Sequence, residues 1–311
     1  MLGFGNIGRR HIQSLSEDDM FDIYCVDPAQ YKTNSPVKIY ETVERLIEKT
    51  QINFFDICIV ATQASKREDI IRSLFKSCKI DSLVLEKPVF QNWKSYSLFS
   101  KFFINSETSV WVNTVFRNLE CFQRLKKLTN SPLTITAHGN WDFCSNFSHY
   151  LDLFLFLNND IKHDVKNCTS ELYDILYSSK RPGCFEAKGS ISINFENDSK
   201  ITLSTENKMS NGDNHVDLLI SCNSKNLLMS IRGEVISAIR DDFGIYDEPK
   251  SLISYPFVSV TSQLNCKAIY EKRYENIKMA NYEKIFGLCG TVTRQLEKVF
   301  TERGHDICLI S

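Results

Sequence analysis

The chain lacks the features that would tie it to a membrane, a nucleic acid or an oxidising compartment. No apolar run in its 311 residues reaches the roughly 18 needed to span a bilayer. The opening MLGFGNIGRRH has no apolar core ahead of a cleavage site, so it does not read as a secretory leader. Lys and Arg number 37 against 38 Asp and Glu, a net charge of −1, so no global field draws the chain to nucleic acid or anionic lipid. No CxxC occurs. The 11 cysteines are odd in number and scattered, several inside apolar runs such as DIYCV (Cys25) and DICIV (Cys58), where a free Cys acts as a small hydrophobe. Neither a metal site nor a disulfide framework is expected, and a cytoplasmic location is. Repeats, low-complexity tracts and long linkers are missing as well. What is present, 42% hydrophobic and 24% charged residues, is the composition of an ordinary globular chain of about two domains.

The first half alternates strand and helix signals. Strands are expected at Phe21–Val26, Phe54–Ala61, Ser82–Leu85 and Ser109–Val115, and helices at Glu41–Lys49, Ser65–Ser77 and Trp93–Phe103. This rhythm predicts a doubly wound parallel sheet covered by helices on both faces. The pattern changes near Arg117. A strand at Leu133–Gly139 and an apolar helix at Ser148–Phe156 precede short alternating strands from Ala187 to Ile239, with turn signals ENDS, SNGDN and RGE between them. These predict an antiparallel meander. A helix over Tyr282–Phe300 closes the chain. The expected organisation is α/β plus α+β: a Rossmann domain over 1–117, then a domain of open, mainly antiparallel sheet over 118–311 whose last helix packs back.

Gly3-Phe4-Gly5-Asn6-Ile7-Gly8 is a GxGxxG run. Its first glycine permits a tight turn, the second lets the backbone approach a pyrophosphate, and the third lets helix pack on strand. Asp27 follows Gly8 by 19 residues, at the end of the next apolar run, where a carboxylate accepts from a ribose 2′-hydroxyl and repels a 2′-phosphate. NAD is therefore favoured over NADP, the alternative being an ordinary glycine turn and a turn aspartate before Pro28. Glu86-Lys87-Pro88 follows an apolar strand at the end where open sheets bind ligands; Lys87 alone also fits an exposed loop lysine. His149 and Asp152 form HxxD at helical spacing, and a histidine of near-neutral pKa can move a hydroxyl proton. A capping or solvated pair is the plain alternative. Asn113 and Arg117, at and just beyond the last strand of the first half, fit a cleft wall or a structural boundary equally. Trp141, Asp142, Ser145 and Asn146 are polar-site candidates of the same grade.

Taken together, GFGNIGRRH, VATQASKREDII, LEKP, NTVFR and HYLD resemble, in order and spacing, the Gfo/Idh/MocA family of NAD(P)-dependent oxidoreductases. The resemblance runs from Gly3 to the final helix. It implies hydride transfer between a nicotinamide and a sugar-type secondary alcohol or ketone. By position, Lys87 matches the EKP lysine, His149 the acid–base histidine and Asp152 a substrate-binding carboxylate, giving Lys87, His149 and Asp152 as expected catalytic residues. The expected cofactor set is Gly3, Gly5, Asn6, Ile7, Gly8, Asp27, Thr62, Glu86 and Lys87, and the expected substrate set Asn113, Arg117 and Asn146. Two departures stand out. Ser145 occupies the place where many members carry an aspartate, four residues before the histidine. The resemblance also implies a whole strand ahead of the glycines where only Met1 and Leu2 stand, so either the chain continues upstream or part of the cofactor cradle is lost.

The leading expectation is thus a cytoplasmic oxidoreductase acting on a sugar, nucleotide sugar or polyol. NWDFCSN…HYLD is similar to bacterial members linked to surface-glycan pathways. The expected partner is a small sugar-type substrate, with no nucleic acid or membrane partner, and a homo-oligomer is expected by analogy. The alternatives are a catalytically silent nucleotide-binding or regulatory protein on the same fold, and a relative that removes a group through a transient keto-sugar.

Overall fold

The computed structural model describes residues 1–29, 37–130, 132–159, 164–173, 175–179, 184–206, 214–233, 235–246, 252–254 and 259–304. In the first layer, α1 (Asn6–Leu15) follows the glycine turn, then β1 (Cys25–Val26), β2 (Ile39–Tyr40), α2 (Val43–Thr50), β3 (Phe54–Val60), α3 (Ala64–Ser77), β4 (Lys79–Glu86), α4 (Trp93–Ile104) and β5 (Ser109–Asn113). Strands β3, β4 and β5 are parallel, in a register that sets Val60 beside Leu85 and Glu86 beside Asn113. β4 is buried on both faces, as a strand covered by helices on each side must be. Val84 packs with Leu15 and Ile269, whereas Leu83 and Leu85 join the core of Phe90, Phe99 and Phe286 on the other face.

The second layer begins with α5 (Glu120–Lys126), β6 (Leu133–Asn140) and α6 (Phe143–Leu157). It continues through β7 (Val165–Leu172), β8 (Tyr177–Ser178), β9 (Phe185–Glu186), β10 (Gly189–Phe195), β11 (Lys200–Thr205), β12 (His215–Cys222), β13 (Lys225–Arg232), β14 (Val235–Asp241) and β15 (Leu252–Ser254). The chain then returns to the first layer. α7 (Ser259–Tyr270) packs on α1, β16 (Ala280–Asn281) pairs antiparallel with β5, and α8 (Tyr282–Glu302) lies along α4.

The large sheet has the order β15-β14-β13-β12-β6-β11-β10-β7. It is not the simple meander expected from the turn signals. β6 lies between β11 and β12, parallel to the first and antiparallel to the second. β11 and β12 are not neighbours in the sheet, and the turn signal SNGDN between them falls, apart from Asn214, outside the described residues. Along each central strand alternate residues are buried. Ile191, Ile201, Ile135 and Leu218 face the core, while Ser192, Thr202, Thr136 and Asp217 occupy the other face. α6 packs between this sheet and α8. All of its side chains are buried except those of Ser145 and Asn146, in keeping with a helix apolar on every side.

The expected strand over Phe21–Val26 is reduced to Cys25–Val26. A ladder needs a partner, and only Met1–Gly3 lies between this segment and β3. Leu2 bridges Val60 on one side and Val26 on the other. Leu2 N–H donates to Ile59 (2.8 Å), Ala61 N–H to Leu2 (2.8 Å), Gly3 N–H to Val26 (2.9 Å) and Val26 N–H to Met1 (2.9 Å). This stub aims the glycine turn. Beside it lies an apolar groove of about 80 Å³ between Phe21, Ile23, Tyr24, Phe55 and Ile57. Adding four apolar residues ahead of Met1 should pair with both walls of this groove and raise the melting temperature. Burying even one or two such side chains, at about 1.5–3 kcal/mol each, corresponds to several degrees in a thermal melt. An unchanged midpoint would mean the groove does not accept a strand.

Candidate active site

The glycine turn is built from close backbone contacts. Gly3 has φ +94°, and a Cβ on it would lie 2.9 Å from the Ala61 carbonyl oxygen. A Cβ on Gly8 would lie 2.0 Å from the Gly3 oxygen, so only glycine lets α1 press against the turn. Gly5 opens onto free space instead. It is also the N-cap of α1 and offers the helix no side-chain bond, which leaves the N–H groups of the first turn to a ligand. Asp27 spans the turn: its carboxylate accepts from Phe4 N–H (2.7 Å) and Ala29 N–H (2.8 Å). Thr62 lies beside Gly3, and its hydroxyl is buried with no hydrogen-bond partner. An open backbone cradle, an unpartnered buried hydroxyl and a carboxylate at the strand end are a donor and acceptor set that fits a dinucleotide.

At the end of β4 the chain is held from beneath. Arg67, fully buried in α3, donates to the carbonyls of Glu86, Pro88 (2.6 Å), Val89 (3.0 Å) and Thr62. The Glu86 side chain is buried among donors. His11 Nε2 lies 2.7 Å from it and the Asn113 amide donates at 2.7 Å, while the other nitrogen of His11 meets Ser262 at 2.7 Å. Burial works to raise the Glu86 pKa, but the His11 and Asn113 bonds and the Lys87 charge outweigh it and hold the group below the usual carboxylate range.

Lys87 reaches across to α6. Its ammonium donates to the Ser145 carbonyl (3.1 Å) and to Asn146 Oδ1 (3.0 Å). One turn further along the helix stands His149. Its Nδ1 is buried without a partner, leaving Nε2 as the ring nitrogen open to the cleft. Burial first, and the Lys87 ammonium second, push its pKa well below the usual histidine value, so the ring is neutral at neutral pH.

Lys87 and His149 line one cleft of about 270 Å³, with Glu86, Asn113 and Asn146. Ile7 and Arg10 of α1 border it on one side; Asn214 and His215, at the start of β12, border it on the other. Trp141, Phe116 and Tyr150 supply apolar walls. Two of the expected catalytic and substrate residues lie elsewhere. Asp152 is fully buried, and its carboxylate takes Arg117 through Nε (2.7 and 2.8 Å) and Nη2 (2.6 Å) and the Thr114 hydroxyl (2.6 Å). Neither Asp152 nor Arg117 lines the cleft. Three residues on from His149, Asp152 does not share its outlook, because the core surrounds α6 on every side.

Several cleft and supporting residues carried no assignment from the sequence. His11 had a signal, since it ends the GRRH that follows the glycines. Arg67 likewise lies within VATQASKREDII. Glu186, Asn214 and His215 had none, because long-range pairing alone brings them to the site.

No protein-family model and no curated sequence matches the chain. Solved structures do. WlbA dehydrogenase from Chromobacterium violaceum, solved with NADH and UDP-GlcNAcA, superposes with a TM-score of 0.68 at 14% identity over 98% of this chain and 93% of that one. UDP-N-acetylglucosamine 3-dehydrogenase GnnA from Acidithiobacillus ferrooxidans gives 0.66 at 12% identity, over 96% and 97%. The chain has the Gfo/Idh/MocA fold. A super-repressor mutant of Gal80p from Saccharomyces cerevisiae also matches this fold, with a TM-score of 0.67 at 12% identity over 96% of this chain and 92% of that one. The Gfo/Idh/MocA fold therefore identifies the architecture, and the site has to carry the chemistry.

The Asp152–Arg117 pair is expected to act on stability. Asp152→Ala removes the carboxylate opposite a buried guanidinium and should cost about 3–5 kcal/mol in denaturant unfolding. A variant of unchanged stability that loses only substrate affinity would place Asp152 in the substrate site instead.

Proposed function

We propose that this chain is a nicotinamide-dependent oxidoreductase acting on a secondary alcohol or ketone of a sugar-type substrate, with a nucleotide sugar as the best fit. The observation that carries the proposal is the convergence of Lys87, from the parallel sheet, and His149, from α6, on one cleft that begins at the glycine turn. Hydride and proton must leave adjacent atoms, and this is the place where both could be handled. The dehydrogenases that share the fold, one of them solved with NADH and UDP-GlcNAcA, support the substrate class.

A nicotinamide, when bound, supplies the hydride acceptor or donor. The turn from Gly3 to Gly8 and the first N–H groups of α1 would hold its phosphates, Asp27 a ribose hydroxyl, and Thr62 and Glu86 the inner end. Asp27 is the basis for favouring NAD over NADP. Neutral His149 takes the hydroxyl proton at Nε2 as a substrate alcohol is oxidised. Lys87 places a positive charge beside the substrate oxygen and lowers the cost of its negative character. Asn146 and Asn113 offer amide groups to neighbouring hydroxyls, and Trp141 and Phe116 keep water from the reacting atoms.

A second reading is a catalytically silent nucleotide-binding protein. The engagement of Asp152 by Arg117 favours it, because that removes a carboxylate the family pattern assigns to substrate. Retention of Lys87 and His149 in an open cleft favours the enzyme.

Fluorescence titration should find NADH bound more tightly than NADPH, and Asp27→Ala should reduce the difference; tighter NADPH binding would remove the ribose role of Asp27. With turnover followed on nucleotide sugars, His149→Ala should lower kcat by about 10²–10⁴-fold and leave NADH affinity nearly unchanged. Because the His149 pKa lies well below 6.5, the loss of oxidation rate that comes from protonating the ring should set in only below that value. Tight NADH binding with no turnover on any sugar would favour the silent protein.

A further inference from the structure

α6 has no cap of its own. Its N-cap residue, Asp142, makes no side-chain bond to the helix. Glu186, at the end of β9 and only 4% exposed, supplies one from outside. Its Oε2 accepts the Cys144 N–H at 2.6 Å, and its Oε1 accepts the Ser145 hydroxyl. A second strap lies alongside, where Ala187 N–H meets Cys144 Sγ at 3.3 Å. The same helical turn takes the Lys87 ammonium, at the Ser145 carbonyl and the Asn146 amide oxygen. A buried carboxylate and a cleft ammonium thus grip one turn of helix.

We propose that Glu186 is a positioning residue for Lys87, fixing the first turn of α6 so that its two acceptor oxygens stand where the ammonium meets them. A lysine carries four rotatable methylenes and keeps a set position only when its acceptors are held still. Helix ends fray without a cap, and these acceptors belong to a helix end. The bearing of this arrangement on turnover rests on the oxidoreductase proposal above. The placement of the Lys87 ammonium does not.

The charge on Glu186 is open to control. The groups that face it are Asp142, the N-cap of α6, Cys144 and Ser145 from α6, and Lys188 from the link between β9 and β10. Burial pushes its pKa up to about 7, with Asp142 adding to the rise and the Ser145 hydroxyl and Cys144 N–H working against it. As a carboxylate it accepts both bonds. Once protonated, one of its oxygens becomes a donor, and its hold on the turn weakens. Lys87 should therefore be better held above neutrality than below it.

Competitive acetylation of the full chain with acetic anhydride, read by mass spectrometry, measures Lys87 against the exposed Lys66. Glu186→Ala should raise relative Lys87 labelling by about tenfold, the effect of losing a helix cap. In the unsubstituted protein the relative labelling should fall as pH rises through about 7, and Glu186→Gln should abolish that inflection. Should Glu186→Ala fail to fold, Ser145→Ala, which removes only the hydroxyl bond, should give a smaller increase, about two- to threefold. Lys87 labelling equal to that of the unsubstituted protein in folded Glu186→Ala, or a pH profile in Glu186→Gln and labelling in Ser145→Ala that both match the unsubstituted protein, would overturn the proposal. NADH titration of the same samples separates the two questions. A protein that binds no nicotinamide would end the oxidoreductase proposal and leave the labelling result standing.

Discussion

The contact between the Lys87 ammonium and the first turn of α6 ties the parallel sheet to the antiparallel one at the place where the cleft opens. Each partner is held by a buried group behind it. Arg67 gathers the carbonyls on both sides of Lys87, and Glu186 caps the helical turn. A cleft between two layers is only as well defined as the groups that join them. Here the joining side chain is also the one whose charge the proposed chemistry uses, so the same bonds would serve architecture and site.

Burial acts on three titratable groups around this contact with different results. Glu86 stays below the usual carboxylate range because His11 and Asn113 donate to it and Lys87 lies near. Glu186, which also has two donors but has the like charge of Asp142 close by, is pushed up to about 7. His149 has no carboxylate partner and is pushed well down. In each case burial disfavours the charged form, and the neighbouring donors and charges decide how far that tendency is offset. A neutral histidine beside a cationic lysine, with an anionic Glu86 stabilised behind them, is the polarity that removal of a hydroxyl proton requires.

Much of the fold was legible because its periodicity is local. Buried parallel strands read as continuous apolar runs, as in SLVLE and the last three residues of FFDICIV, and half-exposed strands alternate, as in GSISINF. Strand order was not legible. The insertion of β6 between β11 and β12 pairs segments more than sixty residues apart, and no local pattern encodes which strands meet. The shortening of the Phe21–Val26 strand has the same origin, since its length depends on a partner and not on its own residues.

The sequence by itself determined the glycine turn, the carboxylate at Asp27, and the presence of Lys87 and His149, because these rest on residue type and short spacing. Only the tertiary structure decided which of the motif residues face the cleft. HxxD puts two polar side chains near each other on a helix, but a helix buried on all sides gives each its own surroundings. His149 meets the cleft, and Asp152 meets Arg117. The groups that hold Lys87 in place were likewise beyond local reading. Arg67 and Glu186 act through bonds to backbone atoms of distant segments, and a backbone carbonyl or N–H leaves no mark on the amino-acid sequence.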